Sequence, residues 1–299
     1  MRYLLLAGSG FIGSHLAKSL AKNHEVIIAG YGSSFSMEGV TYIQLDFTKC
    51  KDFTEYIKDV DVIIHMVSTI TPSDNLSDVN GEIADNVFPT TILLDNAAKL
   101  NKEIVFISSG GTVYGENDNP NKETDDTSPI CNYGISKLLI EKYLKLYSHF
   151  YGMKYKIIRL SNPYSEKVYH GKKQGVIPII IDNILNNSPI AIWGENQIRD
   201  YIYIDDAING IISVLNYQGS LHAFNIGSGE GHALNDVIKL AETKLNKKAR
   251  LEEYPPRKCD VNTNILDITR VKQETGWTPS VSLSKGIDII VEQKRSNQK

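Results

Sequence analysis

The first half of the chain alternates between two hydrophobic periods. Short, nearly continuous apolar runs occupy Tyr3–Ala7, Glu25–Ala29, Thr41–Leu45, Val60–His65, Glu103–Ser108 and Lys154–Leu160. Runs of this length with no polar face are what strands covered on both sides require. Between them, Phe11–Lys22, Glu82–Leu100 and Asn132–Tyr151 repeat apolar residues at helical spacing. Strands and helices in alternation predict βαβ units and a mainly parallel, doubly wound sheet.

The second half mixes the two periods. Val176–Asn187, Asp205–Tyr217, Leu234–Leu245 and a final Leu283–Lys294 read as helices. Ile190–Trp193, Arg199–Ile204, Ala223–Ile226 and Arg250–Glu253 read as short strands. No repeat, low-complexity tract or flexible linker separates the halves, which predicts two lobes packed closely together.

Composition narrows the function classes. At 299 residues, with 41% hydrophobic and 22% charged positions, the chain fits a folded protein of about two domains and not a disordered one. Its net charge of −3 argues against a nucleic-acid partner, and an anionic ligand would have to be held by local groups. Cys50, Cys131 and Cys259 are odd in number, widely spaced and form no CxxC. They argue against a disulfide framework or a zinc site, and for a reducing cytoplasm. The apolar opening at Met1–Ala7 resembles a leader, but it is short and runs into Gly8-Ser9-Gly10, which fits a buried first strand better. No apolar run reaches about 18 residues, so no membrane span is expected.

The turn after that strand carries the first candidate chemistry. Gly8-Ser9-Gly10-Phe11-Ile12-Gly13 joins a predicted strand to a predicted helix. A dinucleotide pyrophosphate needs bare backbone N–H groups at a helix N-terminus. Gly10 permits that approach, and Gly13 lets the helix lie on the strand. The acid that normally ends the second strand is missing from Ile28-Ala29-Gly30-Tyr31, and no Arg stands nearby for a 2′-phosphate. Ser33 and Ser34 suit either form, so NAD and NADP both stay open. Asp46, with Phe47 after the third strand, reads either as an adenine contact or as a helix N-cap.

A second pattern supplies an acid/base. Tyr133 and Lys137 stand at i and i+4, on one helical face. A phenol of pKa about 10 is a poor base at neutral pH, and a neighbouring ammonium favours its ionised form. Tyr169–Lys173 and Tyr254–Lys258 match the same spacing. The former contains Gly171 and the latter Pro255-Pro256, so only the first match sits on a predicted helix.

With these motifs the chain resembles the extended short-chain dehydrogenase/reductase superfamily, in its NAD-dependent epimerase/dehydratase branch. Asn86, Ser108–Gly115, Arg159–Tyr164, Arg199–Asp206, Phe224–Gly229 and Gly276–Pro279 carry the likeness further, over nearly the whole chain. The resemblance implies an α/β fold: a Rossmann-type doubly wound parallel sheet with a smaller mixed α/β substrate-binding lobe. A dinucleotide-binding domain of residues 1–161, rejoined by 200–226, would face a substrate-binding lobe of 162–299. It also implies roles. Gly8, Gly10, Phe11, Ile12, Gly13, Asp46, Phe47, Asn86 and Ser108 would hold the cofactor, Tyr133 would be the acid/base, and Lys137 would bind the nicotinamide ribose. Asn162, Val176, Arg199 and Arg257 would hold a nucleotide-diphosphate sugar, the last two through planar guanidinium forks. Gln174–Ile179 would cradle the base, and the helices Glu82–Leu100 and Asn132–Tyr151 would pair two copies into a homodimer.

Three departures from the family pattern mark this chain. Ala7 stands at the first fingerprint glycine, the ribose acid is absent, and the Ser or Thr four residues before Tyr114 is Gly110. Thr112 is the nearest hydroxyl expected to replace it. The leading expectation is a nucleotide-sugar 4-epimerase of the UDP-hexose type. The alternatives are an NADPH-dependent reductase of a nucleotide-linked 4-keto-6-deoxysugar and a non-catalytic dinucleotide-binding sensor. A dehydratase fits less well, because Gly111-Thr112 replaces the usual Asp-Glu. His65, Trp193 and Trp277 read as structural, and His170 with Lys172 and Lys173 as a solvated loop or a lid.

Overall fold

A computed structural model describes residues 1–71, 78–166, 175–194 and 197–296. Its centre is a seven-stranded parallel sheet built from β1 (Arg2–Leu6), β2 (Glu25–Gly30), β3 (Val40–Gln44), β4 (Val62–His65), β5 (Glu103–Ser109), β6 (Tyr155–Leu160) and β10 (Ala223–Ile226). The spatial order is β10-β6-β5-β4-β1-β2-β3. The order reverses between β1 and β4, which leaves a crevice at their carboxyl ends. Each strand is within about two residues of its predicted span. β10 returns to the sheet beside β6, from far along the chain.

The sheet is buried on both faces, as the unbroken apolar runs require. Leu5, Ile28, Ile64 and Val105 point into one core with Leu16, Ala17 and Leu20 of α1 (Phe11–Leu20) and Ile211 and Val214 of α7 (Ile204–Asn216). Their neighbours Leu4, Leu6, Ile63 and Phe106 point into the other. There they meet Leu93 and Ala97 of α4 (Phe88–Lys99) and Ile140 and Leu144 of α5 (Asn132–Tyr151). Among the described residues no helix is long and apolar enough to cross a membrane, and no cluster of His, Cys, Asp or Glu could hold a metal.

The predicted helix Glu82–Leu100 is divided. It runs as α3 (Val79–Glu82), a π-helical turn over Ile83–Val87, and α4. Asp78 caps α3, its carboxylate accepting from the Gly81 amide at 2.7 Å. Pro89 near the start of α4 has no N–H to donate, which favours a break in the ladder at this point.

A smaller set of strands forms the second lobe. β9 (Ile198–Tyr203) pairs with β7 (Asn162–Tyr164), β11 (Gly231–Ala233) and β13 (Thr263–Asn264), and β8 (Pro189–Trp193) pairs with β12 (Arg250–Tyr254). β7, β11 and β13 have two or three residues, too few to show a period of two, and were not among the predicted strands. Helices α6 (Val176–Leu185), α8 (Leu234–Leu245) and α10 (Leu283–Ser296) cover this lobe, with α9 (Thr269–Thr275) beside β10.

The glycine turn explains its own sequence. A Cβ on Gly13 would lie 2.6 Å from Gly8 Cα and 2.7 Å from the Gly8 carbonyl oxygen, backbone atoms that cannot yield. Ala7 has φ of 60°, in the left-handed region where a methyl group is strained. Gly13→Ala should therefore cost about 1–3 kcal/mol of stability through overpacking. Ala7→Gly should add roughly 0.5 kcal/mol, strain relief outweighing the looser unfolded chain. Thermal and urea unfolding of both variants checks the opposite signs.

His65 ends β4, fully buried between the rings of Phe47 and Phe106. The Val67 amide donates to Nδ1 at 3.3 Å, so Nε2 carries the proton toward Thr90 Oγ1 at 2.9 Å. Burial and then the Lys137 charge pull its pKa down to about 3. The unfolded chain therefore binds this proton first, and stability falls as pH drops from about 6.5 toward about 3. Denaturant titrations across that window should show a shallower pH slope for His65→Asn than for the parent protein.

Candidate active site

The crevice at the carboxyl ends of β1 and β4 is walled by the glycine turn, the end of β5 and the start of α5. Gly10 caps α1 in extended backbone and is exposed, and its carbonyl accepts from the Ser14 amide at 2.9 Å and the Ser14 hydroxyl at 2.7 Å. The first amides of α1, from Phe11 to Gly13, follow this open glycine and have no carbonyl four residues back within the helix. The bare turn and the close approach of Gly13 to Gly8 fit a dinucleotide pyrophosphate, which needs backbone and no side chain there.

α5 supplies the polar face. Cys131 caps it, its Sγ accepting from the Gly134 amide at 3.4 Å, and burial pushes its thiol up, which leaves no activated thiolate. Tyr133, Lys137 and Glu141 follow at four-residue steps on one stripe. Lys137 is 5% exposed, and its Nζ donates to the Ile107 carbonyl at 3.2 Å and the Val67 carbonyl at 3.4 Å. The same ammonium lies 4.8 Å from the Phe106 ring centre and 5.5 Å from that of Tyr133. Burial lowers its pKa to about 8, against the opposing charges of Glu82 and Glu141. Burial pushes the half-buried Tyr133 up to about 12, while the Ser109 hydroxyl favours its ionised form.

Ser109 is the residue that sequence reasoning missed. The expected replacement, Thr112, has its Oγ1 buried with no hydrogen-bond partner among the described residues, while Ser109 is the hydroxyl whose dipole acts on the Tyr133 phenol. Gly110 shows why the usual position is empty. A Cβ there would meet Leu266 Cδ1 at 2.6 Å and the Arg159 carbonyl at 3.0 Å, so a side chain would be driven into Leu266. The preceding Ser109 ends β5 beside the phenol. The signal in the sequence was the doubled serine Ser108-Ser109, of which Ser108 is taken by Glu141, while Leu266, more than 150 residues away, closes the Gly110 position.

Ser108 is buried and donates to Glu141 Oε1 at 2.5 Å. Glu141 also receives Arg159, whose NH2 reaches Oε2 at 2.7 Å and whose guanidinium stacks 4.8 Å from the Tyr114 ring centre. Asn86, in the π turn, is buried and fully engaged. Its Nδ2 donates to Thr69 Oγ1 at 2.5 Å and Glu82 Oε2 at 2.6 Å, and its Oδ1 accepts from the Thr69 amide at 3.0 Å. Asp46 heads a 3-10 turn over Phe47–Lys49, and its carboxyl is held below the usual range by the Thr48 hydroxyl and by Lys49. Phe47 lies in the core, 5.2 Å from Phe53.

The second lobe brings the expected substrate contacts into one chain of bonds. Asn162 donates to the Asp200 carbonyl at 2.9 Å and lies beside Gly111. Arg199 donates to the carbonyls of Ile198 and Asn262 at 3.0 and 3.2 Å and to Gln197 Oε1 at 3.4 Å. Gln197 in turn donates to Asp260, in the turn that starts at Arg257. The Arg257 guanidinium lies 4.4 Å from the ring centre of Trp193, which stacks on Tyr254 at 4.6 Å. Trp193 is thus a half-exposed platform and not only a packing residue. Val176 begins α6 after Gly175, at φ of 87°. Tyr169, His170, Lys172, Lys173 and Gln174 lie outside the described residues.

The NAD dependent epimerase/dehydratase family model matches residues 4–227. A dTDP-4-dehydro-6-deoxyglucose reductase of Escherichia coli is 34% identical, over 98% of this chain and 97% of that one. Among solved structures, the UDP-glucose 4-epimerase of Thermotoga maritima with UDP-glucose superposes with a TM-score of 0.90, at 30% identity and full coverage of both chains. The UDP-glucose 4-epimerase of Thermus thermophilus in complex with NAD also gives 0.90, at 25% identity over 99% of each chain. By sequence and by fold, this chain belongs to the NAD dependent epimerase/dehydratase family.

Proposed function

We propose that the protein is a nucleotide-sugar 4-epimerase of the UDP-hexose type that works with bound NAD. The observation that carries this reading is the pairing on one face of α5 of the Tyr133 phenol and the buried Lys137 ammonium, 5.5 Å from its ring centre, in a fold whose first βα turn is bare glycine backbone. Gly8 to Gly13 and Lys137 would hold the cofactor, with Asp46 and Phe47 on its adenine side and Asn86 and Ser108 behind it. When bound, NAD accepts a hydride from the sugar C4 and returns it.

The protein's own residues do the rest. Tyr133, as phenolate, takes the proton of the sugar 4-hydroxyl and later gives it back. Lys137 favours that phenolate by its charge. Ser109 shares the hydrogen bond to the same oxygen, the role expected of Thr112 before the structure. Asn162, Val176, Arg199 and Arg257 would grip the nucleotide and its diphosphate, leaving the sugar free to present either face to C4 chemistry. The division of labour follows the two lobes, residues 1–161 with 200–226 for the cofactor and 162–299 for the sugar nucleotide.

The end of β2 supports NAD over NADP. It carries no Arg for a 2′-phosphate, and the nearby Lys49 is paired with Asp46 at 3.2 Å. The reductase reading keeps one specific support, the Escherichia coli relative, since reduction at C4 uses the same tyrosine. α4 and α5 also leave Phe88, Leu146, Phe150 and Tyr151 exposed, at 45–69% of their surface, which supports pairing of two copies through these helices.

Incubation with UDP-galactose should give UDP-glucose with no net change in reduced-cofactor absorbance. Stoichiometric loss of NADPH on a nucleotide-linked 4-keto-6-deoxysugar, without epimerisation, would favour the reductase. Tyr133→Phe should abolish turnover while NAD binding by calorimetry persists. Ser109→Ala should lower kcat by about 10²–10⁴-fold, and Thr112→Ala should leave it within a few-fold. Equal losses for the two hydroxyls would reject Ser109 as the partner of Tyr133.

A further inference from the structure

The chemistry above leaves a second buried acid beside the Tyr133–Lys137 pair without a task. Glu82, the last residue of α3, is 3% exposed. Its Oε2 accepts from Asn86 Nδ2 at 2.6 Å, and α3 packs on α5, where the Ser136 hydroxyl favours the ionised form of the same carboxylate. Ser136 immediately precedes Lys137 on α5, so Glu82 stands over the turn that presents the ammonium. Burying a carboxylate is strongly unfavourable unless its charge is answered.

The other buried acid near Lys137 is already matched. Glu141 takes Arg159 through both oxygens, at 2.7 and 3.2 Å, and Ser108 at 2.5 Å. Among the described residues, Lys137 donates to two carbonyls and lies over two rings, and no anion stands within salt-bridge distance of it. We propose that Glu82 is a positioning residue for the acid/base pair: its carboxylate is the counter-charge that keeps Lys137 an ammonium, and through Asn86 it fixes the Thr69 backbone beside the site. This rests on Tyr133 and Lys137 acting as assigned above.

The charges around the pair define the test. Lys137 faces Glu82 from α3, Glu141 from its own helix and His65 from β4. Tyr133 faces Ser109 from β5, Cys131 from the start of α5, Glu82, and the Lys137 ammonium 5.5 Å from its ring centre. Glu82 faces Ser136, Lys137, Asn86 and Asp85. Glu82 favours the ammonium of Lys137 and disfavours the phenolate of Tyr133. Removing its charge therefore moves both titrations to lower pH, a common shift that loss of packing does not produce.

Glu82→Gln keeps an acceptor for Asn86 and deletes only the charge. In the full-length protein with NAD and its nucleotide sugar, both limbs of the kcat/KM profile should move to lower pH by on the order of one unit. Glu82→Asp should restore most of the original profile. Independently of turnover, protein carrying Cζ-labelled tyrosine, with Tyr133 assigned through Tyr133→Phe, should show a lower titration midpoint in Glu82→Gln by nuclear magnetic resonance. If Glu82→Gln does not fold, Glu82→Met removes the same charge with a side chain of similar length and should move the midpoint in the same direction. Limbs that stay in place or move in opposite directions, or an unmoved Tyr133 midpoint, overturn the proposal. If the parent protein turns over no nucleotide sugar, the epimerase reading fails and the tyrosine titration still decides the role of Glu82.

Discussion

The structure depends on holding a charged stripe of one helix in a dry place. Lys137 and Glu141 are buried on α5 at the end of β5, where water is scarce and charge is costly, and the half-buried Tyr133 precedes them on the same stripe. The stripe is tolerated because each group is answered. Arg159 pairs with Glu141, Ser108 donates to it, and backbone carbonyls of Ile107 and Val67 receive Lys137. Breaking a buried pair such as Glu141–Arg159 by removing one partner costs about 3–5 kcal/mol, because a naked charge remains. The same scarcity of water makes the stripe useful, since an ammonium acts strongly on a neighbouring phenol only where it is weakly screened.

The parallel sheet fixes where that stripe can work. β1 and β4 are neighbours, and their connections leave on opposite sides. The crevice between them receives the glycine turn from β1, the Thr69 segment after β4, and Ser108 and Ser109 from β5. Asn86 ties the Thr69 segment to the π turn with two hydrogen bonds and reaches Glu82 with a third, so the wall opposite α5 is braced by a side chain and not by a strand. The second lobe closes the crevice through β7 and β9, where Asn162 touches the backbone of Asp200 beside Arg199.

Asp200 shows how the lobes are kept in register. It is fully buried and accepts from the Ser228, Gly229 and Leu266 amides and the Ser228 hydroxyl. One carboxylate thus ties β9 to the loop after β10 and to the segment that carries Leu266. Leu266 in turn occupies the space a side chain at Gly110 would need. The departure from the family pattern at Gly110 is therefore part of the packing arrangement that joins β9 to the end of β5.

The sequence by itself determined the sheet, the glycine turn and the Tyr133–Lys137 spacing. These rest on local regularities: apolar runs buried on both faces, a turn that backbone atoms must approach, and a four-residue helical step. The helix Asn132–Tyr151 and the strand Ala223–Ile226 were legible to the residue for the same reason. Only the tertiary structure decided the rest. β7, β11 and β13 are too short to carry a period, and they exist because β9 offers them an edge. Ser109, Glu82 and the platform of Trp193 under Arg257 are set by contacts between residues far apart in the chain, and spacing along the sequence carries no information about such contacts.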